Sequence, residues 1–384
     1  DTKAGEGMST ATTLTALWVV PVPDFGGVAR HVLDVAQTGI PGYRLVVCAP
    51  EGKLTERLRE LNIPVHAVPF GPSRGFRTSF ASLTHVIERE KPAIVHSHLA
   101  YADVIAAAVV NSLKMRRLAN RSLTVPTLIT TEHGIAGDDA VYHGTSWRSK
   151  LMEQVHRVRL WGTNAAIAVS RSTAEQMRRK WGARRVSIIY NGVDAPRLRA
   201  AVHKHRVPTE PDAPRILSLS RLSPEKGIDV LIEAFAQLHT VYPKAHLEIA
   251  GEGDLADTLA QQVRELHISD AVTFSGFVDP LEAMGRSDMV VQLSIWENCS
   301  YTLLDAKAAG LKTVATNVGG NPEILAPNEL VNRRQNAFCD SVLEALMRNC
   351  EASAPSAWTW VTNAEMTAQI AELYTQTQKH QGLA

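Results

Sequence analysis

The feature that most limits what this chain can become is a steady alternation of short β-branched apolar runs with helix-length amphipathic stretches, interrupted once and then resumed. Residues 14–20, 45–48, 94–95, 127–131, 166–169 and 186–189 read as strands buried on both faces. Helical stretches at 28–37, 54–61, 79–89, 102–116, 147–160 and 172–181 separate them. The rhythm pauses at Tyr190-Asn191-Gly192-Val193-Asp194, and a polar stretch, HKHRVPTEPDAP, ends at Pro214. It restarts with strands at 215–219, 246–250, 272–275, 289–293 and 313–315 and helices at 227–239, 255–266 and 301–309. Parallel strands need crossover helices, so the pattern predicts an α/β fold of two doubly wound parallel sheets facing a central cleft. The expected division is 8–190, 191–355 and a closing helix-rich segment, 356–384, with helix at 358–378, packing back toward the first domain; the opening DTKAGEG, residues 1–7, reads as a remnant ahead of Met8.

Charge narrows the function. The 384 residues carry 40 Lys plus Arg against 39 Asp plus Glu, which removes any global electrostatic case for nucleic acid. Residues 1–191 nevertheless hold +9 and residues 192–384 hold −8. Basic clusters at Arg116, Arg117 and Arg121, at Arg148, Lys150, Arg157 and Arg159, and at Arg178, Arg179, Lys180, Arg184 and Arg185 suit reversible contact with an anionic membrane surface. The competing reading is solvated helix faces. Four widely spaced cysteines exclude a disulfide scaffold and a CxxC metal site, no run reaches a membrane span, and a cytoplasmic location, peripheral at the inner face of the membrane, is the expectation.

Chemistry should gather at the carboxyl ends of the strands. Gly26-Gly27 follows the first strand and opens a helix, and Gly251-Glu252-Gly253 follows another strand; each fits a tight turn or an anion site equally. Arg221 and Lys226, five residues apart in the loop after the strand at 215–219, offer a planar fork and a point charge for a diphosphate, or are solvated loop charges. Glu297 and Asp305 lie eight apart, with Ser300 placed to cap a helix whose first amides belong to Tyr301 and Thr302. His96 and His98 share a strand face and, with His133, superficially suggest zinc; structural or acceptor-contacting roles are favoured and no metal is expected.

Taken in order, GG at 26–27, TTEHG at 130–134, AVS at 168–170, YNGVD at 190–194, SRLSPEKG at 220–227, GEG at 251–253, FSGFV at 274–278 and ENCSYTLLDAKAAGLKTVATNVGG at 297–320 resemble the retaining GT-B glycosyltransferases of the large family four. The resemblance spans roughly residues 13–374. It implies transfer of a hexosyl unit from a nucleotide diphosphate sugar, UDP being favoured by its frequency in the family, to a hydroxyl of a glycan or lipid-linked acceptor. No cofactor is implied. Arg221 and Lys226 would hold the diphosphate in place of a metal, and the chain has no D-x-D triplet. Glu297 would contact the donor sugar, His133 would lie beside it, Tyr301 and Thr302 would present amides to the phosphates, and Phe277 and Val278 would touch the nucleobase. The family's ribose-gripping glutamate falls on Asp305, one methylene shorter, and its glycine-rich run is replaced by Asn298-Cys299-Ser300, which adds side chains beside the sugar. A sugar-nucleotide epimerase, an inverting transferase or a non-catalytic nucleotide-sugar binder are the alternatives.

Overall fold

The computed structural model describes residues 13–135, 147–333, 337–352 and 357–382. The first domain is a seven-stranded, wholly parallel sheet in the order β3-β2-β1-β4-β5-β6-β7: β1 (Leu14–Val19), β2 (Tyr43–Ala49), β3 (Val65–Ala67), β4 (Ile94–His98), β5 (Thr127–Glu132), β6 (Ala165–Ala168) and β7 (Val186–Ile188). Helices α1 (Gly27–Thr38), α2 (Lys53–Glu60), α3 (Phe76–Glu90), α4 (Ala100–Ala119), α5 (Trp147–Trp161) and α6 (Arg171–Trp181) cover it. Alternation along β1 divides the core: Ala16 and Trp18 join the cluster under α1, while Leu17 and Val19 join the one under α3 and α4. Because both faces are covered, β1 and β6 carry buried apolar residues at successive positions rather than at every second one, while β4 and β5 turn polar toward their carboxyl ends at His96, Ser97, His98, Thr130, Thr131 and Glu132.

The second domain begins with α7 (Ala195–His203) and builds a six-stranded parallel sheet in the order β10-β9-β8-β11-β12-β13. Its strands are β8 (Arg215–Leu219), β9 (His246–Ala250), β10 (Val272–Gly276), β11 (Met289–Gln292), β12 (Lys312–Thr316) and β13 (Leu330–Val331). Helices α8 (Ile228–Val241), α9 (Ala256–Glu265), α10 (Pro280–Gly285), α11 (Tyr301–Ala309), α12 (Asn321–Ile324) and α13 (Phe338–Glu351) complete it. Of the elements that composition alone did not mark, β3, β13, α10 and α12 are short and α7 carries two arginines and a proline, whereas α13 is a 14-residue amphipathic helix. Helix α7 follows Asp194, whose carboxylate accepts from the Arg197 amide, and buries Leu198 and Val202 in the second domain's clusters.

The last helix differs from expectation at both ends. Thr362 and Glu365 form a capping box, so α14 runs Asn363–His380 rather than starting at 358. The preceding Trp358 and Trp360 are extended chain against the second domain, donating to Ile324 O at 3.1 Å and Asn191 O at 2.9 Å. Met366, Ile370 and Tyr374 of α14 instead enter the first domain's core. There the buried Tyr374 hydroxyl accepts from Trp18 Nε1 at 2.9 Å and meets His96 Nδ1 at 2.6 Å, Trp18 and His96 being register partners on β1 and β4. Tyr374→Phe strands two buried polar groups at once, so denaturant unfolding should show a loss of about 1–3 kcal/mol. An unchanged midpoint would mean that the hydroxyl bridge contributes nothing.

Candidate active site

Each sheet reverses its strand order once, between β1 and β4 and between β8 and β11, and loops at such switch points form the binding crevice. After β8 the chain passes Ser220 to Ser223, makes a tight 3-10 turn at Pro224–Lys226, and enters α8 through Gly227. Gly227 has φ 62°, and a Cβ there would sit 2.8 Å from Leu293 O, so the turn demands glycine. This turn aims Lys226 across the switch point. Its Nζ donates to Glu297 Oε1 at 2.8 Å and to Ser294 Oγ at 3.3 Å. Arg221 points outward, three-quarters exposed, with Nη2 3.2 Å from Glu225 Oε1. Gly251 and Gly253 lie against that loop: side chains there would overlap the Ser220 and Leu222 carbonyl oxygens. Their smallness lets the 251–253 turn support the arm that carries Arg221.

The acidic segment after β11 is held from below and from across the cleft. Added side chains at Gly319 or Gly320 would overlap the Glu297 and Asn298 carbonyls, so the 317–320 turn cradles the backbone of both. Ser300 caps α11, accepting from the Leu303 amide at 3.3 Å, which sets Tyr301 and Thr302 in the first turn. Asn298 is used differently from the expectation of a side chain beside the sugar. Its Oδ1 accepts from the Ile135 amide at 3.2 Å and from Thr173 Oγ1 at 2.9 Å, and Nδ2 donates to Ile135 O at 3.4 Å. All three partners belong to the first domain.

Asp305 shows the same diversion. Arg30 of α1 donates Nη1 to Asp305 Oδ2 at 3.0 Å and Nη2 to Oδ1 at 3.1 Å, a two-pronged pair between residues 275 positions apart. Both carboxylate oxygens expected to grip a ribose are therefore engaged by a guanidinium. Arg30 also bonds Asp34 Oδ2 at 3.0 Å and lies 4.9 Å over the Tyr301 ring, which itself stands 4.0 Å from where a Gly27 side chain would begin. Burial alone would loosen the Arg30 proton, and the Asp305 carboxylate overcomes that effect and holds it above its ordinary value; burial pushes the Asp305 carboxyl up against the pull of Arg30. Gly26, extended at φ 172°, has nothing near its missing side chain.

On the first domain's side, His133 follows β5 and its Nε2 is 2.9 Å from His98 Nδ1. His31 of α1 stands 4.9 Å from the His133 ring and is stacked on Trp18. Burial pushes His31 down to about 4 and His96, His98 and His133 well below the usual histidine range, so all four rings are neutral at pH 7. His96 turns away, bonding Tyr374 and Thr131. Beneath His133, Arg159 pairs with both Asp103 and Glu132 in the core. Phe277, expected at a base or in a strand end, is 86% exposed, and Val278 packs in the cluster with Leu281 and Met284.

The site thus brings together Lys226, Glu297 and the segment Tyr301–Asp305 with Gly27. Asn298 joins this constellation to the residue two beyond His133. Arg221 and Phe277 stand at the cleft's exposed margin. Sequence reasoning missed Arg30, His31 and Glu323 and carried Gly319 and Gly320 only inside the 297–320 motif; Glu323 accepts from the Arg171 and Ser172 amides at the start of α6 and from the Tyr190 hydroxyl at 2.8 Å. A double-mutant cycle on Arg30→Ala and Asp305→Ala should return a coupling of about 1–3 kcal/mol by thermal or denaturant unfolding. Additive losses would mean that the two domains do not meet there in solution.

Comparison with known proteins agrees with this architecture. The glycosyl transferases group 1 profile matches residues 202–354, and the Glycosyltransferase Family 4 profile matches 25–197. Glycogen synthase of Mycobacterium tuberculosis is 30% identical over 410 aligned positions, covering 93% of each chain. One component of the phosphatidylinositol N-acetylglucosaminyltransferase of Arabidopsis thaliana is 28% identical over 326, covering 80% of this chain and 68% of that one. The Anabaena protein HepE, solved in complex with UDP, superposes with a TM-score of 0.70 at 20% identity, over 96% of this chain and 98% of the other. The chain belongs to the group 1 glycosyltransferases and has their GT-B fold.

Proposed function

We propose that the chain is a retaining hexosyltransferase that takes its sugar from a UDP-sugar and passes it to a hydroxyl of a glycan or lipid-linked acceptor. The observation that carries this reading is the meeting of Lys226 and Glu297 at the second sheet's switch point, with the neighbours of Glu297 bonded to the segment after His133. A cation and a carboxylate 2.8 Å apart suit a donor whose diphosphate takes the Lys226 ammonium while its sugar hydroxyls take Glu297. UDP is favoured by its presence in the HepE complex, and a lipid-linked acceptor by the name of the Arabidopsis relative.

In this reading residues 191–355 bind the donor and 8–190 the acceptor. Arg221 swings from Glu225 onto the diphosphate, and Lys226 with the first amides of α11 stabilises the charge that grows on the leaving phosphate. That phosphate takes the acceptor proton on the same face of the sugar, so no protein nucleophile or metal is required. His133, neutral and with one nitrogen on His98, offers its other polar edge to the sugar.

Arg221→Ala and Lys226→Ala should each slow transfer at least tenfold, about 1.4 kcal/mol of transition-state stabilisation, with activity preserved in EDTA. Loss of activity in EDTA that magnesium or manganese restores would replace the metal-free assignment. A product of inverted anomeric configuration would replace retention, and donor binding without transfer or hydrolysis would leave a non-catalytic binder.

The basic first domain supports peripheral membrane contact. Trp161, 89% exposed, lines a cavity of about 600 Å³ with Arg157, Arg179, Arg184 and Arg185. This patch lies at the amino ends of β6 and β7, away from the cleft, so docking there and delivery of a lipid-linked acceptor are separate events. Among the described residues no helix is long and apolar enough to cross a membrane. Binding to anionic but not neutral vesicles, released as salt rises from about 0.1 to about 1 M, is expected; the screening length shrinks from about 10 to about 3 Å over that range. Indifference to anionic vesicles at low salt would assign these residues to solvated helix faces.

A further inference from the structure

The first domain holds a cluster of imidazoles that the transfer reaction does not fully use. His31 comes from α1, His98 from the end of β4 and His133 from the loop after β5, so three separate elements converge at the first sheet's switch point. One ring nitrogen from each lies within 4.8 Å of the other two, and the His98 to His133 pair is 2.9 Å apart. Zinc-to-nitrogen bonds of about 2.0–2.1 Å at tetrahedral angles set ligand nitrogens about 3.4 Å from one another, a spacing these rings bracket.

A second observation is independent of that convergence. His31 is 3% exposed and His98 fully buried, yet neither nitrogen of His31 and not the Nε2 of His98 makes a hydrogen bond of good geometry, the Asn191 side chain offering the His31 ring a weak one. Buried polar atoms are rarely left so, and each costs on the order of 1–3 kcal/mol. The Asn191 amide is a polar neighbour of the His31 ring, and its Oδ1 is also unpartnered. Neutral imidazole is the metal-ligating form. His96, on the same strand face, is excluded because both its nitrogens are already bonded.

We propose that His31, His98 and His133 form a binding site for a divalent transition metal, and that metal bound there inhibits transfer by fixing His133 away from the donor sugar. An all-nitrogen donor set selects Zn2+, Cu2+, Ni2+ or Co2+ and rejects Mg2+ and Mn2+. The fourth position opens on the side of His133, which is only half-buried, beside the exposed Gly134. Metal capture replaces the hydrogen bond between His98 Nδ1 and His133 Nε2 and satisfies one orphaned nitrogen of His31. The inhibitory half of the proposal rests on the reading of His133 as a donor-facing residue; the binding half does not.

The full-length protein, stripped with chelator and shown metal-free, is titrated with Co2+, whose tetrahedral complexes absorb visible light, and by calorimetry with Zn2+. One equivalent is expected with the intense tetrahedral spectrum, and Mg2+ should neither produce nor compete for it. His31→Gln and His98→Gln should each weaken binding at least tenfold while UDP binding stays at the wild-type value. Failure of the wild type to bind, or undiminished binding in both variants, overturns the site, whatever the activity assay shows. Zn2+ should inhibit wild-type transfer and be reversed by chelator, with His31→Gln resistant at the same concentration. Stoichiometric binding without inhibition overturns the inhibitory role.

Discussion

A carboxylate shut away from water has to be paired, and the partner of Asp305 lies on the other domain. Asp305 sits one helical turn beyond Tyr301 on α11, and Arg30 sits one turn before Asp34 on α1, so each helix contributes an i, i+4 pair to a single crossing. The guanidinium lies over the Tyr301 ring while its fork takes both oxygens of Asp305. Two additional contacts share the load across the cleft: Asn298 against Ile135 and Thr173, and Glu323 against the amides that open α6. These are directional polar contacts. They set the angle at which the two sheets face each other, and therefore where Lys226 and Glu297 stand relative to His133.

The same contacts give a physical account of the chain's departures from its family's pattern. Where that pattern has a flexible glycine-rich run, Asn298 uses its amide to bind the opposite domain rather than to line the sugar pocket. Where the pattern has glutamate, aspartate keeps its carboxylate one methylene closer to α11, at the depth where the Arg30 fork meets it. Both residues put their polar groups into contact between the domains. A nucleotide ribose addressing Asp305 would have to compete with a charge-assisted, two-pronged bond rather than with water.

The fold was legible because buried parallel strands have a compositional signature: β8, β9 and α11 coincide with the apolar runs at 215–219, 246–250 and 301–309. Strand β13, two residues long, and the 3-residue β3 carry too little sequence to announce themselves, and α7 is masked by its arginines and by Pro196 at its first turn. In the site, Lys226 and Glu297 could be picked out because each stands in a loop just after a strand, a place where chemistry gathers. Arg30 could not. Nothing within α1 distinguishes an arginine that salt-bridges its own Asp34 from one that also reaches a residue 275 positions away. His31 was hidden for the opposite reason: at an otherwise apolar helix position it reads as core, and only the convergence with His98 and His133 gives it another meaning.

Two different electrostatic regimes therefore lie within one cleft. On the second domain's wall, ions face ions, and the partly buried pair of Lys226 with Glu297 keeps charge where, in the proposed reaction, a diphosphate would compete for the ammonium. On the first domain's wall, burial has removed charge from four histidines and pushes the Glu132 carboxyl up to about 8, while Arg159 and Asp103 are sealed against one another in the core. In the proposed donor arrangement, a neutral imidazole surface beside the anomeric centre would neither repel an approaching hydroxyl nor supply a proton to the diphosphate. In the proposed reaction, the negative charge that develops as the sugar leaves would then be met from one side only, by the cations and helix amides of the second domain, directing bond breaking toward that wall.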